Sequence, residues 1–280
     1  MDLPVSPYYT ERVHRNYKDM FTIIWLLTRT CNFSCNYCVR TNDPLTPFDI
    51  DKFIEKLNEL PKPFRLQITG GEPLIFSWIT ELINKVGRIG GVIELQTNFS
   101  LQVRELLDSV SPKVLEYILV SHHPAERVRI MGEGAIQKLI DDIKYARSKG
   151  FYVMIWNIDD PRIGVDQFMA DCKVMYDAGI TVVRKRYTGD EGGGQAGDAV
   201  VGDLKGKRCL AGCKSFNMWE NFDMTLCDTD RTPLGNLFTG YKLLEAPGIC
   251  KAVFCGCGGR ELVLDTYYDS YFKKEFGGEK

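Results

Sequence analysis

Three cysteines lie close together near the N-terminus, in the stretch Cys31-Asn32-Phe33-Ser34-Cys35-Asn36-Tyr37-Cys38. Thiolates at this spacing are suited to binding an iron–sulfur cluster or a zinc ion. In a cubane of four irons and four sulfides each iron takes one outer ligand, so three thiolates leave one iron without a protein ligand. Such an iron can bind a small molecule directly. This cysteine loop (residues 31–38) is therefore the first indication of chemistry in the chain.

A glycine-rich turn, Gly70-Gly71-Glu72-Pro73, directly follows an apolar segment at residues 64–69. Glycine has no Cβ, so the backbone of this turn can adopt positive φ and approach a ligand closely. A structural zinc site would need a fourth ligand, and disulfide scaffolds are usually short secreted chains. Neither alternative explains the glycine-rich turn, which favours ligation of a cluster.

The C-x3-C-x2-C loop and the glycine-rich turn together resemble the radical S-adenosylmethionine (SAM) superfamily. The resemblance implies that Cys31, Cys35 and Cys38 hold a 4Fe-4S cluster whose open iron binds SAM. It also implies that Gly70, Gly71, Glu72 and Pro73 contact SAM. In this family an electron from the cluster cleaves SAM, and the resulting 5′-deoxyadenosyl radical abstracts hydrogen from a substrate.

Six short apolar segments alternate with segments of helical periodicity. Continuous apolar runs are typical of strands buried on both faces of a parallel sheet, and strand–helix alternation predicts an α/β fold. The resemblance implies a partial (β/α)6 barrel with the cluster and SAM at the C-terminal ends of its strands, followed by a small cysteine-rich extension. The predicted strands cover residues 21–27, 64–69, 92–97, 115–121, 151–158 and 181–184, and the predicted helices cover 47–60, 133–149 and 165–178.

Polar residues at the ends of these strands are further candidates for the site. The resemblance indicates SAM contacts at Tyr37, Gln96, Asn98, Ser121, Asn157 and Arg184. His122 and His123 follow Ser121, and we predict that they contact substrate or transfer protons, since histidine titrates near neutrality. Strand-end histidines that make ordinary hydrogen bonds are the alternative.

A second group of cysteines resembles the SPASM/twitch extension of radical SAM enzymes. Its members are Cys209, Cys213, Cys227, Cys250, Cys255 and Cys257. The element Leu234-Gly235-Asn236-Leu237 supports the resemblance, whereas six cysteines rather than seven, and Phe222 in place of a usual glycine, are departures from it. The resemblance therefore implies one auxiliary iron–sulfur cluster, held by Cys209, Cys227, Cys255 and either Cys250 or Cys257. Structural zinc is the competing interpretation.

A cysteine that is not a ligand could return a hydrogen atom to a substrate radical, as some epimerases of the family do. Cys213 is the residue that we predict for this role. An inert, packed thiol is the alternative.

Composition excludes several other classes. The chain has 280 residues, 44% hydrophobic residues and a net charge of −2, which gives no electrostatic case for binding nucleic acid. The sequence lacks the pattern of a signal peptide and an apolar run long enough for a membrane span. We therefore expect a cytoplasmic protein with four parts: an N-terminal extension (1–20), a radical SAM partial barrel (21–190), a Gly-rich linker or active-site loop (191–206), and an auxiliary-cluster region with a C-terminal helix (207–280).

The predicted function is hydrogen abstraction from a small-molecule substrate by a radical SAM enzyme, leading to dehydrogenation or epimerisation. Modification of a short peptide and activation of a glycyl-radical enzyme are alternatives, and a non-catalytic metal-binding module is a third. An electron donor such as flavodoxin or ferredoxin is the expected protein partner.

Overall fold

A computed structural model describes residues 20–38, 47–159, 164–186 and 205–251. Six longer strands alternate with helices in the first three described segments, and six short strands follow in the last. The strands are β1 (Phe21–Thr28), β2 (Phe64–Gly70), β3 (Gly91–Thr97), β4 (Leu115–His122), β5 (Val153–Asp159), β6 (Val182–Arg186), β7 (Arg208–Cys209), β8 (Ser215–Met218), β9 (Asp223–Thr225), β10 (Pro233–Asn236), β11 (Gly240–Tyr241) and β12 (Gly248–Ile249). The helices are α1 (Ile50–Asn58), α2 (Ile79–Arg88), α3 (Val103–Ser109), α4 (Pro124–Met131), α5 (Ala135–Ser148) and α6 (Val165–Asp177).

One sheet of ten strands joins the two parts of the chain, in the order β11-β10-β9-β8-β1-β2-β3-β4-β5-β6. Strands β1 to β6 pair in parallel, each with the next, as the strand–helix alternation predicts. Strand β8 adds to the free edge of β1 in parallel, and β9 to β11 continue the sheet with antiparallel pairs. The α/β prediction is confirmed, and the described residues form an open sheet rather than a closed barrel.

The sheet has one apolar face under the helices and one concave face with polar side chains. Ile23, Trp25 and Ile68 are fully buried and belong to the same core as Phe53 and Leu57 of α1. Because side chains alternate along a strand, the residues between them point to the opposite face. That concave face carries the polar residues of β2 and β3, at the centre of the sheet.

An aromatic cluster fastens the short strands to the first strand. Phe222, in the turn before β9, is 3% exposed, and its ring centroid lies 5.9 Å from that of Trp25 and 5.8 Å from that of Phe53. Its φ of +67° lies in the left-handed region, where a non-glycine residue costs about 1–2 kcal/mol. Burial of a phenylalanine ring contributes a similar amount. The buried ring therefore offsets the backbone cost at this position.

Candidate active site

The cysteine loop begins directly after β1. Cys31 and Cys35 are half-buried and Cys38 is exposed. Burial raises the pKa of Cys31 to about 11 and that of Cys35 to about 12, and the Cys38 thiol raises both further. Three thiols that repel one another when ionised need a cation to bind them as thiolates.

Three cysteine thiols are the type and number of ligands that a 4Fe-4S cluster with one open iron takes. Among the residues that the structure describes, no group of three or more histidine, cysteine or acidic side chains has the spacing of a metal site. The assignment of cluster ligands at Cys31, Cys35 and Cys38 therefore stays a prediction.

The glycine-rich turn packs directly on the strand that leads into the cysteine loop. The Gly71 amide donates to the Thr28 carbonyl at 2.7 Å, and the Glu72 amide donates to the Thr30 carbonyl at 2.9 Å. A Cβ at Gly70 would lie 2.4 Å from the Thr28 carbonyl oxygen, and one at Gly71 would lie 2.0 Å from that of Thr30. The glycines are required because the chain approaches itself here, in addition to any approach to a ligand.

Glu72 is fully buried and joins the ends of two strands. One carboxylate oxygen accepts from the Leu74 amide at 2.9 Å and the Thr97 hydroxyl at 2.6 Å. The other accepts from the Asn98 amide at 2.5 Å. Burial raises the pKa of Glu72 to about 7, against these hydrogen bonds and the nearby charge of Arg127. Its side chain therefore holds the turn in place, and a contact of this turn with SAM would have to come from its backbone.

Asn98 connects the end of β3 to the cysteine loop. Its side-chain amide donates to Asn32 Oδ1 at 2.8 Å and lies 3.8 Å from the Cys31 sulfur. Its own Oδ1 accepts from the Ser100 hydroxyl at 2.6 Å, and that hydroxyl accepts from Asn32 Nδ2 at 3.0 Å. Asn98, which is predicted to contact SAM, therefore lies at the cysteine loop and contacts Cys31, a predicted cluster ligand.

Arg127 of α4 is a buried cation under the same loop. It is 1% exposed, donates to the Asn98 carbonyl and lies 5.6 Å from the centroid of the Phe33 ring. Burial lowers its pKa to about 10, while the charge of Glu72 raises it. Phe33 is itself 4% exposed, so the loop is held by a buried ring and by the buried Arg127 side chain that packs near it.

The start of α4 also contacts the cysteine loop. The Tyr37 hydroxyl hydrogen-bonds His123 Nδ1, and their rings lie 5.5 Å apart. The Ser34 amide donates to Glu126, whose other oxygen accepts from Arg129 at 2.7 Å. His123 is thus placed beside the predicted cluster loop, where it positions Tyr37.

Two of the predicted site residues face the helices instead of the concave face. His122 is 1% exposed, and burial lowers its pKa to about 4. Asn157, its register partner on β5, is 3% exposed, and its amide lies 3.5 Å from the Cys172 sulfur on α6. His122, which was predicted to contact substrate, and Asn157, which was predicted to contact SAM, therefore face away from the predicted site. Strand alternation turns both side chains into the core.

Gln96 and Ser121 are half-buried residues of the concave face near the C-terminal ends of their strands. Gln96 Oε1 accepts from the Thr69 hydroxyl at 3.0 Å. Ser121 pairs in register with Trp156. Arg184 of β6 pairs in register with Asn157 of β5, and its side chain lies outside the described part of the structure. The SAM contacts predicted at Gln96, Ser121 and Arg184 stay predictions.

The second cysteine group gathers around β7 and β12. Burial raises the pKa of Cys209 to about 11, and the thiols of Cys250, Cys227 and Cys213 add to the rise. Gly248 and Cys209 are register partners, and the Cys227 sulfur accepts from the Asp230 amide at 3.1 Å. The Cys213 thiol donates to the Leu210 carbonyl at 3.3 Å. Cys255 and Cys257 lie outside the described residues, so the auxiliary cluster and its ligands stay predictions.

Sequence reasoning missed most of the residues that brace the cysteine loop. These are Asn32, Phe33, Thr97, Glu126 and Arg127. Pro124, directly after the fourth strand, is a sequence signal for the first turn of a helix and could have revealed α4. Nothing in the sequence pointed to Arg127, because arginine is rarely buried.

No protein-family model matches the chain. Among curated proteins it is similar to a probable GTP 3′,8-cyclase of Methanothermobacter marburgensis, with 27% identity over 154 residues, 48% of this chain and 50% of that protein. It is also similar to a putative glycyl-radical enzyme activating enzyme of Methanocaldococcus jannaschii, with 26% identity over 125 residues, 44% of this chain and 48% of that protein. The matches thus span about half the length of these relatives.

Two solved structures show a similar fold. Streptococcus suis SuiB bound to precursor peptide SuiA has a TM-score of 0.55 and 12% identity, over 81% of this chain and 66% of that one. The enzyme anSMEcpe with bound AdoMet has a TM-score of 0.53 and 12% identity, over 79% of this chain and 78% of that one.

Fold and site together define a class: an α/β protein with a partial barrel and a three-cysteine loop at the C-terminal end of its first strand. The sequence relatives are members of the radical SAM superfamily, as are the fold neighbours. In sequence the chain is similar to members of this superfamily over nearly half of its length, as its cysteine loop and glycine-rich turn predicted. Within the described residues, no helix is long and apolar enough to cross a bilayer.

Proposed function

We propose that this chain is an enzyme that cleaves SAM reductively and abstracts hydrogen from a carbon atom of its substrate. The observation that carries the proposal is the joining of the three-cysteine loop to the Gly70–Gly71 turn, through the hydrogen bonds of Gly71 and Glu72 to the end of β1. When bound, the cluster and SAM would supply an electron and a 5′-deoxyadenosyl radical.

The chain's own residues hold and orient these groups. Cys31, Cys35 and Cys38 are the three ligands, and the Asn98 amide, 3.8 Å from the Cys31 sulfur, would donate to a ligand thiolate. Hydrogen bonds to cluster sulfurs raise the reduction potential of a cluster, and so make its reduction easier. Ser121 would contact SAM from the concave face, with Tyr37 beside the third cysteine.

The second cysteine group supports one auxiliary cluster in this proposal. The thiols of Cys250 and Cys227 raise the pKa of Cys209, so they lie near it; these three cysteines with one of Cys255 and Cys257 would supply four ligands. A cluster there would accept an electron from a substrate radical, which favours dehydrogenation. Cys213 would instead return hydrogen in an epimerisation. Flavodoxin or ferredoxin is the electron donor that such a reaction would use.

The substrate in this proposal is a small molecule or a short peptide. The sequence relatives named for GTP cyclisation match over about half their length, so GTP is not adopted as the substrate. Activation of a glycyl-radical enzyme is the second candidate function, and the similarity to a putative activating enzyme supports it.

The test is anaerobic reconstitution of the full chain with iron and sulfide, followed by addition of SAM and dithionite. We expect 5′-deoxyadenosine by chromatography, and its loss in Cys31→Ala, Cys35→Ala and Cys38→Ala. Cys172→Ala is the matched control, because Cys172 is buried on α6 against Asn157. Zinc in place of iron at the loop, or SAM that stays intact in the iron-loaded protein, would refute the proposal. Product that forms only with a large glycyl-radical enzyme present would identify the second candidate.

A further inference from the structure

The concave face of the sheet is partly open to solvent and polar at its centre. Helix-facing Ile68 and Leu95 are fully buried, whereas Gln67, Thr69 and Gln96 on the concave face of the same strands are half-buried. The half-buried residues of this face include Gln67, Thr69, Gln96, Ser121, Met154 and Trp156. A substrate held below SAM would lie against this face.

Four side chains form two linked pairs between β2 and β3. Gln67 Nε2 donates to Glu94 Oε1 at 3.1 Å, and the Thr69 hydroxyl donates to Gln96 Oε1 at 3.0 Å. Arg65 Nη1 lies 3.5 Å from the second oxygen of Glu94, and Arg65 and Glu94 are 5% and 6% exposed. The opposite charges offset each other in the wall of the face. What the two strands present to a substrate is therefore a pair of amides rather than a net charge.

Each glutamine amide has one end held by the protein. Gln67 donates an N–H to Glu94, so its carbonyl oxygen faces outward as an acceptor. The carbonyl oxygen of Gln96 accepts from Thr69, so its NH2 group faces outward as a donor. Neither outward atom hydrogen-bonds another side chain among the described residues. One open acceptor and one open donor are complementary to the N–H and C=O of a single amide group.

The spacing of the two glutamines suits the same group. Gln67 pairs in register with Glu94, two residues before Gln96, so the glutamines are diagonal neighbours. Side chains two residues apart on neighbouring strands lie on the same face, so both amides can reach one group placed between them. On the far side of β4, Met154 and Trp156 supply an apolar wall for the hydrocarbon that carries the amide.

We infer that the substrate carries an amide, either a peptide bond or a free carboxamide, which Gln96 and Gln67 bind on the concave face. The inference rests on the proposed function, which places substrate on that face. The two sources of the amide share one chemistry, and the experiment distinguishes them.

The test measures binding of small probes to the reconstituted full chain by saturation-transfer NMR. The probes are N-methylpropanamide, its ester counterpart methyl propanoate, propanamide, and capped trialanine. We expect N-methylpropanamide to bind at least tenfold more tightly than methyl propanoate, which lacks the N–H donor. Tighter binding of capped trialanine than of propanamide would identify a peptide source, and the reverse a free carboxamide. Equal binding of amide and ester, or no binding of any amide probe, would overturn the inference.

Two substitutions locate the binding. Gln96→Glu replaces the open donor by an acceptor and Gln67→Met removes the open acceptor, so each should weaken the amide probes about tenfold. Gln137→Glu, on an exposed face of α5, is the matched control and should leave probe binding unchanged. If Gln67→Met fails to fold by circular dichroism, Gln96→Glu still decides. Unchanged binding in a folded Gln96→Glu protein contradicts the inference.

Formation of 5′-deoxyadenosine in the same preparations separates the two claims. SAM cleavage without amide selectivity defeats the inference alone. Amide selectivity without SAM cleavage defeats the proposed function alone.

Discussion

The two cysteine groups are held in different ways. The loop at residues 31–38 is braced by buried side chains from β3, α4 and the glycine-rich turn, among them Glu72 and Arg127. In the second group Cys209 lies on the two-residue strand β7 and Cys250 directly follows the two-residue strand β12, and backbone hydrogen bonds join Cys250 to Lys207 and Gly206. Its neighbours Arg208 and Ile249 are exposed.

The difference concerns how much order each site has before its metal binds. Buried, hydrogen-bonded groups fix the backbone of the first loop, so binding a cluster there costs little ordering entropy. Among the residues that the structure describes, the second site has fewer buried contacts, so more of its order should come from the metal. Four changes would break or sharpen this comparison, from the largest expected effect to the smallest.

Gly71→Ala should be the most damaging change, because its Cβ would lie 2.0 Å from the Thr30 carbonyl oxygen, a backbone atom. We expect a loss of about 3 kcal/mol or more in the free energy of unfolding, measured by urea denaturation, and loss of iron from the first site. Gly90→Ala is the control: Gly90 has a φ of +81° but no atom within 4 Å of its Cβ position. It should cost about 1 kcal/mol. Equal losses in both variants would contradict the clash.

Arg127→Met removes the cation that lies near the buried Glu72 and leaves the Asn98 carbonyl without its donor. A buried acceptor left without its donor costs about 1–3 kcal/mol. We expect this loss in urea denaturation, with less iron bound at the first site and the second unaffected. The matched control is Arg129→Met, since Arg129 is 59% exposed in its pair with Glu126 and surface pairs contribute about 0–1 kcal/mol. An Arg127→Met protein as stable as the control would show that Arg127 does not stabilise the cysteine loop.

The buried side chain of His122 allows a test of the sheet, which connects the regions of the two cysteine groups. Its folded pKa of about 4 lies below the usual 6.5, so between these values the unfolded chain binds a proton that the folded chain excludes. Stability should therefore fall as the pH falls through this window, by about 2 kcal/mol at pH 5 from this group. The His122→Asn variant should lack this component. The measurement is urea denaturation of both proteins at pH 7 and pH 5; parallel changes would exclude a buried neutral histidine.

The ion pair between Arg29 and Glu220 is the smallest of the four effects. It connects Arg29, two residues before Cys31, to Glu220 in the turn before β9, with Arg29 Nε 2.7 Å from a Glu220 oxygen. The side chains are 37% and 22% exposed, and such pairs contribute roughly 0.5 kcal/mol. A double-mutant cycle with Arg29→Met and Glu220→Gln measures the coupling. A coupling above about 2 kcal/mol would mean that the two regions depend on each other more than the comparison allows.

Much of the fold was readable from local patterns. The six predicted strands match β1 to β6 within about two residues at each end, because continuous apolar runs between helical segments have few other interpretations. Helix α2 was not among the predicted helices, although Ile79, Leu82, Ile83 and Val86 give it a clear apolar stripe. Helices α3 and α4 are harder to recognise: α3 has 7 residues, and the one buried side chain of α4 is Arg127.

The sequence alone predicted the thiol ligands, the resemblance to radical SAM proteins and the parallel α/β class, since thiol spacing, a glycine-rich turn and apolar periodicity are local properties. The tertiary structure decided which face each strand-end residue occupies: His122 and Asn157 turn toward the helices, whereas Gln96 and Ser121 turn toward the concave face. It also decided that Arg127 and Glu72 lie buried beside the cysteine loop. The physical reason is that strands buried on both faces carry no apolar–polar alternation, so register and long-range packing assign their faces.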